Sequence, residues 1–347
     1  MKPEEFAREA SFVIQGPILG RAGATPEARY TQAGLRSIRR YFPSAEVILS
    51  TWKECNRPEF LDGLDYDKVV FSDDPGSCVK DDVTRTQHNG NRLIVSSAAG
   101  LWAATRRYAV KMRSDMILLH DGMPALVGRY VRFDENYRLL RQRVLVSHVT
   151  TINPRRLVPL PHHVCDWFFC GLTEDLRNIF DIPLMPEPEW SRWYLSRPKP
   201  TNDPNPTVLC RYMVEDYIWS SFVRKHRQIE HDYYCQISDA IIDDSERVIA
   251  NNVVMATNRM LGIMAQKYPG IRAPHLLKCY TWREWQKLYA LHAGGPPVAG
   301  WDVELAINFS AHWLHKAVSP LFPLARPVVR GWRQLRRRMH ATCAPRF

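Results

Sequence analysis

Short apolar stretches in this chain repeatedly run straight into polar or charged residues, with helically spaced segments between them. Glu46-Val-Ile-Leu-Ser-Thr-Trp52 carries Ser50 and Thr51 near its end, and Tyr66-Asp-Lys-Val-Val-Phe-Ser-Asp-Asp-Pro-Gly76 ends in Ser72, Asp73 and Asp74. Tyr108-Ala-Val-Lys-Met-Arg-Ser-Asp-Met116 goes furthest, with two cations and a carboxylate at its end. Side chains alternate along a strand, so Lys111, Arg113 and Asp115 are expected on one side and Tyr108, Val110 and Met112 on the other. Strand–helix–strand alternation predicts an α/β fold, a mainly parallel sheet flanked by helices. In open sheets of this kind ligands bind beyond the carboxyl ends of the strands, which makes the charged cluster a candidate site for a diphosphate-containing donor.

The other strand ends converge on the same reading. Ser11-Phe-Val-Ile-Gln-Gly-Pro-Ile-Leu19 is a strand interrupted after Gln15 by Gly16-Pro17, where glycine lets backbone approach a ligand and proline stiffens the turn. Residues 28–41 have helical spacing. Asp73 and Asp74 suit a metal or a ribose, or simply an Asx turn before Pro75-Gly76. Asn91 is placed to cap a helix over 93–107, whose first amides, with Arg92, attract anions. Thr51 closes the second strand on the same edge.

Charge narrows the class of partner. Of 47 basic and 36 acidic residues, eight basic and no acidic ones follow Glu304, so the remaining body holds 39 against 36. The formal +11 therefore belongs to the tail, which argues against a body-wide nucleic-acid surface and makes nucleic acid an unlikely partner. Pro327 can open a helix in which Val328, Trp332, Leu335 and Met339 form one stripe among Arg330, Arg333, Arg336, Arg337 and Arg338. A basic amphipathic helix over 327–339 is expected on an anionic membrane surface. The eight cysteines form no CxxC pair, which fits free thiols in a reducing cytoplasm. With no apolar leader and no long apolar run, a cytoplasmic protein without a spanning helix is expected.

The second half is less regular. Leu145–Ile152 reads as a strand. His162-His-Val-Cys-Asp-Trp-Phe-Phe-Cys-Gly171 gathers histidines, a carboxylate and aromatics, a composition that suits a sugar pocket with His163 and Trp167 at the acceptor. Asp166 is a candidate general base, or a residue capping a turn. Residues 183–208 are proline-rich with Trp190, Trp193 and Tyr194, suggesting a lid or a surface excursion. Residues 249–267 have helical spacing, and another helix begins at Trp282.

Departure of a nucleotide diphosphate needs positive charge, either a divalent cation (Mn or Mg) held by carboxylates or a pair of cationic side chains. Arg113 suits phosphate, and Asp115 suits a metal or the donor's sugar hydroxyls; an internal Arg113–Asp115 ion pair is the competing arrangement.

Val13-Ile-Gln-Gly-Pro-Ile18, Leu35-Arg-Ser-Ile-Arg-Arg-Tyr-Phe-Pro43, Ala45–Trp52, Ser72–Gly76, Asn89-Gly-Asn-Arg92 and Lys111-Met-Arg-Ser-Asp115 together resemble the WavE family of lipopolysaccharide-synthesis proteins, over roughly 11–225. The resemblance implies a GT-A-like, Rossmann-type glycosyltransferase, cytoplasmic and peripheral to the inner membrane, that moves sugar from a nucleotide-sugar donor to a lipid-linked saccharide acceptor of a bacterial surface glycan. It makes Glu215, early in a helix, a second base candidate; a favourable charge at the helix start is the plainer reading. The implied organisation is a domain over 1–300, with a nucleotide-sugar half at about 10–125 and an acceptor half at about 126–300, then a tail over 301–347. The function alternative is a non-catalytic glycan-binding or scaffold subunit.

Overall fold

The computed structural model describes residues 1–20, 29–267 and 278–299, with Ala306 and Ser310 beyond them. The chain divides into Met1–Trp301 and Asp302–Phe347; the expected amphipathic helix over 327–339 lies outside the described residues. Seven strands make the central sheet: β1 (Ala10–Gln15), β2 (Glu46–Trp52), β3 (Lys68–Ser72), β4 (Tyr108–Arg113), β5 (Val144–Ser147), β6 (Phe168–Leu172) and β7 (Val253–Ala256). Their order is β7-β5-β6-β4-β1-β2-β3. All neighbours are parallel except β6, which runs antiparallel to both β4 and β5. The expected α/β architecture is therefore present. β1 and β2 are buried along their whole length, as central parallel strands covered on both faces must be, and read as near-continuous apolar runs.

Six helices matter for the packing: α1 (Tyr30–Tyr41), α2 (Gly90–Ala103), α3 (Thr173–Phe180), α4 (Val214–Arg224), α5 (Asp239–Asn252) and α6 (Trp282–Ala293). Alternation along β1 sends Val13 towards α2 and Phe12 towards Phe42, whose ring lies 5.2 Å away. Gly100 lets α2 lie close on the sheet, because a Cβ there would sit 2.4 Å from Val13 Cγ1. α2 and α3 pack together over this face.

Several boundaries differ from the sequence reading. α2 begins three residues before the expected Leu93, with Asn89 as the flanking residue, and stops at Ala103 because Ala104 is extended. β4 ends at Arg113; Ser114 and Asp115 form a turn into a short strand, Met116–Leu118, paired with Ile263–Ala265. Residues 249–267 are not one helix: α5 ends at Asn252 and Val253–Ala256 is an edge strand of the sheet. The β-branched Val253-Val254 pair favours extended backbone once a neighbouring strand is present. The strand expected over 145–152 stops at Ser147, and Thr150 has a φ of 69°. The proline-rich segment packs around its own small core, where Tyr194 joins Ile152, Leu160 and Tyr234.

Candidate functional site

The carboxyl ends of β1 and β4 open into a cleft of about 470 Å³ lined by Gln15, Gly16, Pro17, Trp52, Asp74, Asn89, Arg92, Arg113, Ser114, Asp115, Asp166 and Lys267 among others. Larger hollows of about 580 and 600 Å³ lie beside Arg36 and Leu119 and beside Arg106 and Arg177, but neither contains a buried carboxylate. The cleft forms where β1 breaks. Gly16 takes a φ of 111°, strained for any residue with a Cβ, and its amide donates to the Ser50 carbonyl at 3.0 Å. Ser114 Oγ donates to the Pro17 carbonyl at 2.6 Å, so the turns after β1 and β4 are tied together. Gln15 is held by Ser96, whose hydroxyl donates to its Oε1 at 2.7 Å.

Two guanidinium–carboxylate pairs stand at this edge. Arg113 Nε and Nη2 donate to the two Asp115 oxygens at 3.0 and 2.7 Å, and the guanidinium lies 5.1 Å from the Trp167 ring centroid. Arg92 engages Asp74 in the same bidentate way at 2.7 and 2.6 Å, which holds the Asp74 carboxyl below its usual range. The internal Arg113–Asp115 pair is thus formed, yet both partners line the cleft.

Asp166 arrives from the other direction. Because β6 is antiparallel, its start lies at the carboxyl edge of β4, with Phe168 opposite Met112. Asp166, two residues earlier, enters the cleft beside Arg113. Burial, reinforced by Glu215, raises its carboxyl to about 6 against the pull of Lys111, Arg113 and His163. Its Oδ1 has no hydrogen-bond partner. A carboxylate with that affinity for protons, facing a cleft, can accept one near neutral pH.

Other expected site residues lie elsewhere. Lys111 is fully buried, not in the cleft; its ammonium donates to the Asp166 carbonyl and lies 5.8 and 5.4 Å from the Phe169 and Phe180 rings. Strand alternation did place Lys111 and Arg113 on one side, but α3 covers that side, and only the last strand residue clears it. Asp73 is on the surface, paired with Lys53 at 2.8 Å. Thr51 is buried in the sheet. Asn91 is a brace: its side chain donates to the Met185 carbonyl at 3.0 Å and accepts from the Met185 amide at 2.8 Å. His163 is buried against α4, with Nε2 3.9 Å from Glu215 and Nδ1 3.5 Å from Asp216. Trp167 is buried beneath Arg113, and Glu215 is half-buried one residue beyond the cleft-lining Val214.

Trp52, Asn89, Ser114 and Lys267 were missed as site residues. The first three sit inside the motifs Glu46–Trp52, Asn89–Arg92 and Lys111–Asp115, next to expected site residues. Lys267 had no local signal: the long-range antiparallel pairing of Met116–Leu118 with Ile263–Ala265 carries it in, and the Gln266 amide donates to the Asp115 carbonyl at 2.8 Å.

A divalent cation has no obvious cradle. Both Asp115 oxygens accept from Arg113, and among the described residues no group of three His, Cys, Asp or Glu side chains is arranged to hold a metal.

Among solved structures, 4-diphosphocytidyl-2C-methyl-D-erythritol synthase from Anaerococcus prevotii is 10% identical, with 68% of this chain and 95% of that one covered and a TM-score of 0.33. No curated protein matches. The profile of the family described as WavE lipopolysaccharide synthesis matches residues 10–318, which takes in the whole sheet and both sides of the cleft. The chain belongs to the WavE lipopolysaccharide synthesis family.

Proposed function

We propose that the protein is a glycosyltransferase that moves a sugar from a nucleotide sugar to a lipid-linked saccharide during lipopolysaccharide assembly. The observation that carries this reading is Asp166, a buried carboxylate raised to about 6 in the same cleft as Arg92 and Arg113. Asp166 takes the proton from an acceptor hydroxyl, the hydroxyl oxygen bonds to the anomeric carbon, and the bond from that carbon to the phosphate oxygen breaks. The nucleoside diphosphate leaves with the electron pair, an inverting displacement. Arg92, Arg113 and Lys267 face the diphosphate, and Asp74 and Asp115 keep the two guanidinium planes fixed. Glu215, which contacts His163, is the lesser base candidate. These roles extend the GT-A-like reading of the fold.

A thermal-shift screen of UDP-, GDP-, ADP- and dTDP-sugars, with CMP-sugars as the monophosphate contrast, tests the donor with and without manganese and EDTA. One class is expected to raise the melting temperature, the rise is expected to survive EDTA, and Arg113→Ala is expected to remove it. Asp166→Asn is expected to keep the shift while lowering transfer to a lipid-linked saccharide by at least ~100-fold, the range of general-base catalysis. The mutually satisfied Arg92–Asp74 and Arg113–Asp115 pairs also suit a glycan-binding scaffold. Wild-type transfer rates in both variants would remove the roles given to Arg113 and Asp166, and glycan binding with no transfer by the wild-type protein would establish the second reading.

A further inference from the structure

Behind Asp166 lies a line of buried ionisable groups that the transfer step does not use. Asp216, fully buried in the first turn of α4, has His163 Nδ1 3.5 Å from one oxygen and His231 Nε2 3.6 Å from the other. His163 presents its second nitrogen to Glu215 at 3.9 Å. These contacts are ion-pair distances, longer than good hydrogen bonds. Both Asp216 oxygens, His163 Nδ1, both His231 ring nitrogens and Asp166 Oδ1 lack a hydrogen-bond partner. Each such buried atom is costly to leave unpaired, and folds concentrate them where function requires it.

We propose that His163 is a positioning residue: clamped between Glu215 and Asp216, with His231 behind Asp216, it is a fixed cation that keeps Asp166 in its proton-accepting form. The charges around it are defined. Asp166 feels the charges of Glu215 from α4, of Lys111 and Arg113 from β4, and of His163. Cys165, pushed up to about 12 by burial, stays a neutral thiol. His231 adjoins His162 at 5.3 Å between ring centroids and Tyr212 at 5.6 Å, and the Arg224 guanidinium donates to its carbonyl. Burial alone would neutralise His163, but Glu215, Asp216 and Asp166 outweigh it and raise its affinity for the proton. Burial also opposes ionisation of Asp216, yet the two imidazoles hold its carboxyl below the usual range. His162, with burial and then His231, Arg224 and Arg227 against it, is held well below the usual imidazole range and stays neutral.

Only the kinetic arm of the test rests on Asp166 being the base. In the full chain with ¹⁵N-labelled histidine, the wild-type His163 ring is expected to be doubly protonated at pH 7. Asp216→Asn is expected to lower the pH at which it loses that proton. The Asp166 carboxyl carbon is expected to titrate near pH 6 in wild type and higher in His163→Gln. Once a donor is found, kcat/KM of His163→Gln should show an acid limb displaced to higher pH. His148→Gln, a buried histidine with no carboxylate at either nitrogen, should leave that limb in place. A wild-type His163 that is neutral from pH 6 to 8 overturns the proposal, even if the variants do not fold. The expected titrations in a protein that transfers no sugar uphold the His163 arrangement and sink the transferase reading instead.

Discussion

Lys111 shows how far one residue can be read from sequence and where that reading stops. Its position on the strand and the face it shares with Arg113 follow from alternation, but the face being covered depends on α3, some sixty residues later in the chain. Burial lowers the Lys111 ammonium to about 8, from an ordinary value of 10.5, against the attraction of Asp166. The sign of the pH effect follows from that depression. Between about pH 8 and 10.5 the unfolded chain binds a proton the native one does not, so native stability rises with pH there. Below pH 8 the buried cation opposes folding by on the order of 3 kcal/mol, a net cost that remains after its attraction to Asp166. Lys111→Met is accordingly expected to be at least as stable as wild type at pH 7, with the difference shrinking as the pH rises to 10. Urea unfolding at pH 7, 8.5 and 10 measures it. The same variant should lose transfer activity, because the segment bearing Asp166 loses its anchor. A lysine kept in such a place despite its cost is consistent with positioning the site. A clear loss of stability at pH 7 would show that the ammonium is structural.

Elements were legible where hydrophobic pattern and local chemistry agreed. β2 occupies the expected Glu46–Trp52, and α1 and β3 lie inside the segments proposed for them. Strand direction is different, because nothing within Phe168–Leu172 records which neighbours it will pair with. Direction decides the site: a parallel β6 would put Asp166 at the far edge of the sheet, away from Arg113. Likewise the Val253–Ala256 strand is short enough for the helical pattern around it to hide. Gly100 exposes how closely the elements are fitted. An alanine Cβ there would meet Val13 Cγ1 at 2.4 Å and Ser50 Cβ at 2.9 Å, both on stiff central strands. Helix propensity favours the substitution by about 1 kcal/mol, while forcing α2 off the sheet costs about 1–3 kcal/mol. Gly100→Ala is expected to destabilise by roughly 1 kcal/mol in denaturant unfolding, the difference between those terms. It should also weaken the donor-induced thermal shift, because α2 carries Arg92. Equal or greater stability with an unchanged shift would mean that the close approach has no bearing on the cleft.

At the scale of the whole molecule, the proposed function requires a cleft for a water-soluble donor to meet an acceptor anchored in lipid. No helix among the described residues is long and apolar enough to cross a membrane. The excess positive charge follows Glu304, with eight basic and no acidic residues, whereas the body before it is close to neutral. That separation suits a contact made by the tail alone, and it yields a prediction different from that of a generally basic protein. Each arginine near an anionic leaflet contributes on the order of 1 kcal/mol, and the attraction fades within a Debye length of about 10 Å at 0.1 M salt. Full-length protein is therefore expected to co-sediment with phosphatidylglycerol-containing vesicles, weakly with phosphatidylcholine alone, and progressively less as salt rises. Replacing Arg330, Arg333, Arg336, Arg337 and Arg338 with Gln should abolish sedimentation. The nucleotide-sugar thermal shift should be unchanged, since the cleft belongs to the other part of the chain. Duplex DNA at the same ionic strength provides the contrast: if it displaces the protein from vesicles at low concentration, the tail is a polyanion binder and membrane recruitment is not its distinguishing role. If neutral vesicles bind as well as anionic ones, the apolar residues Val328, Trp332, Leu335 and Met339 act without the arginines, and the charge asymmetry needs another explanation.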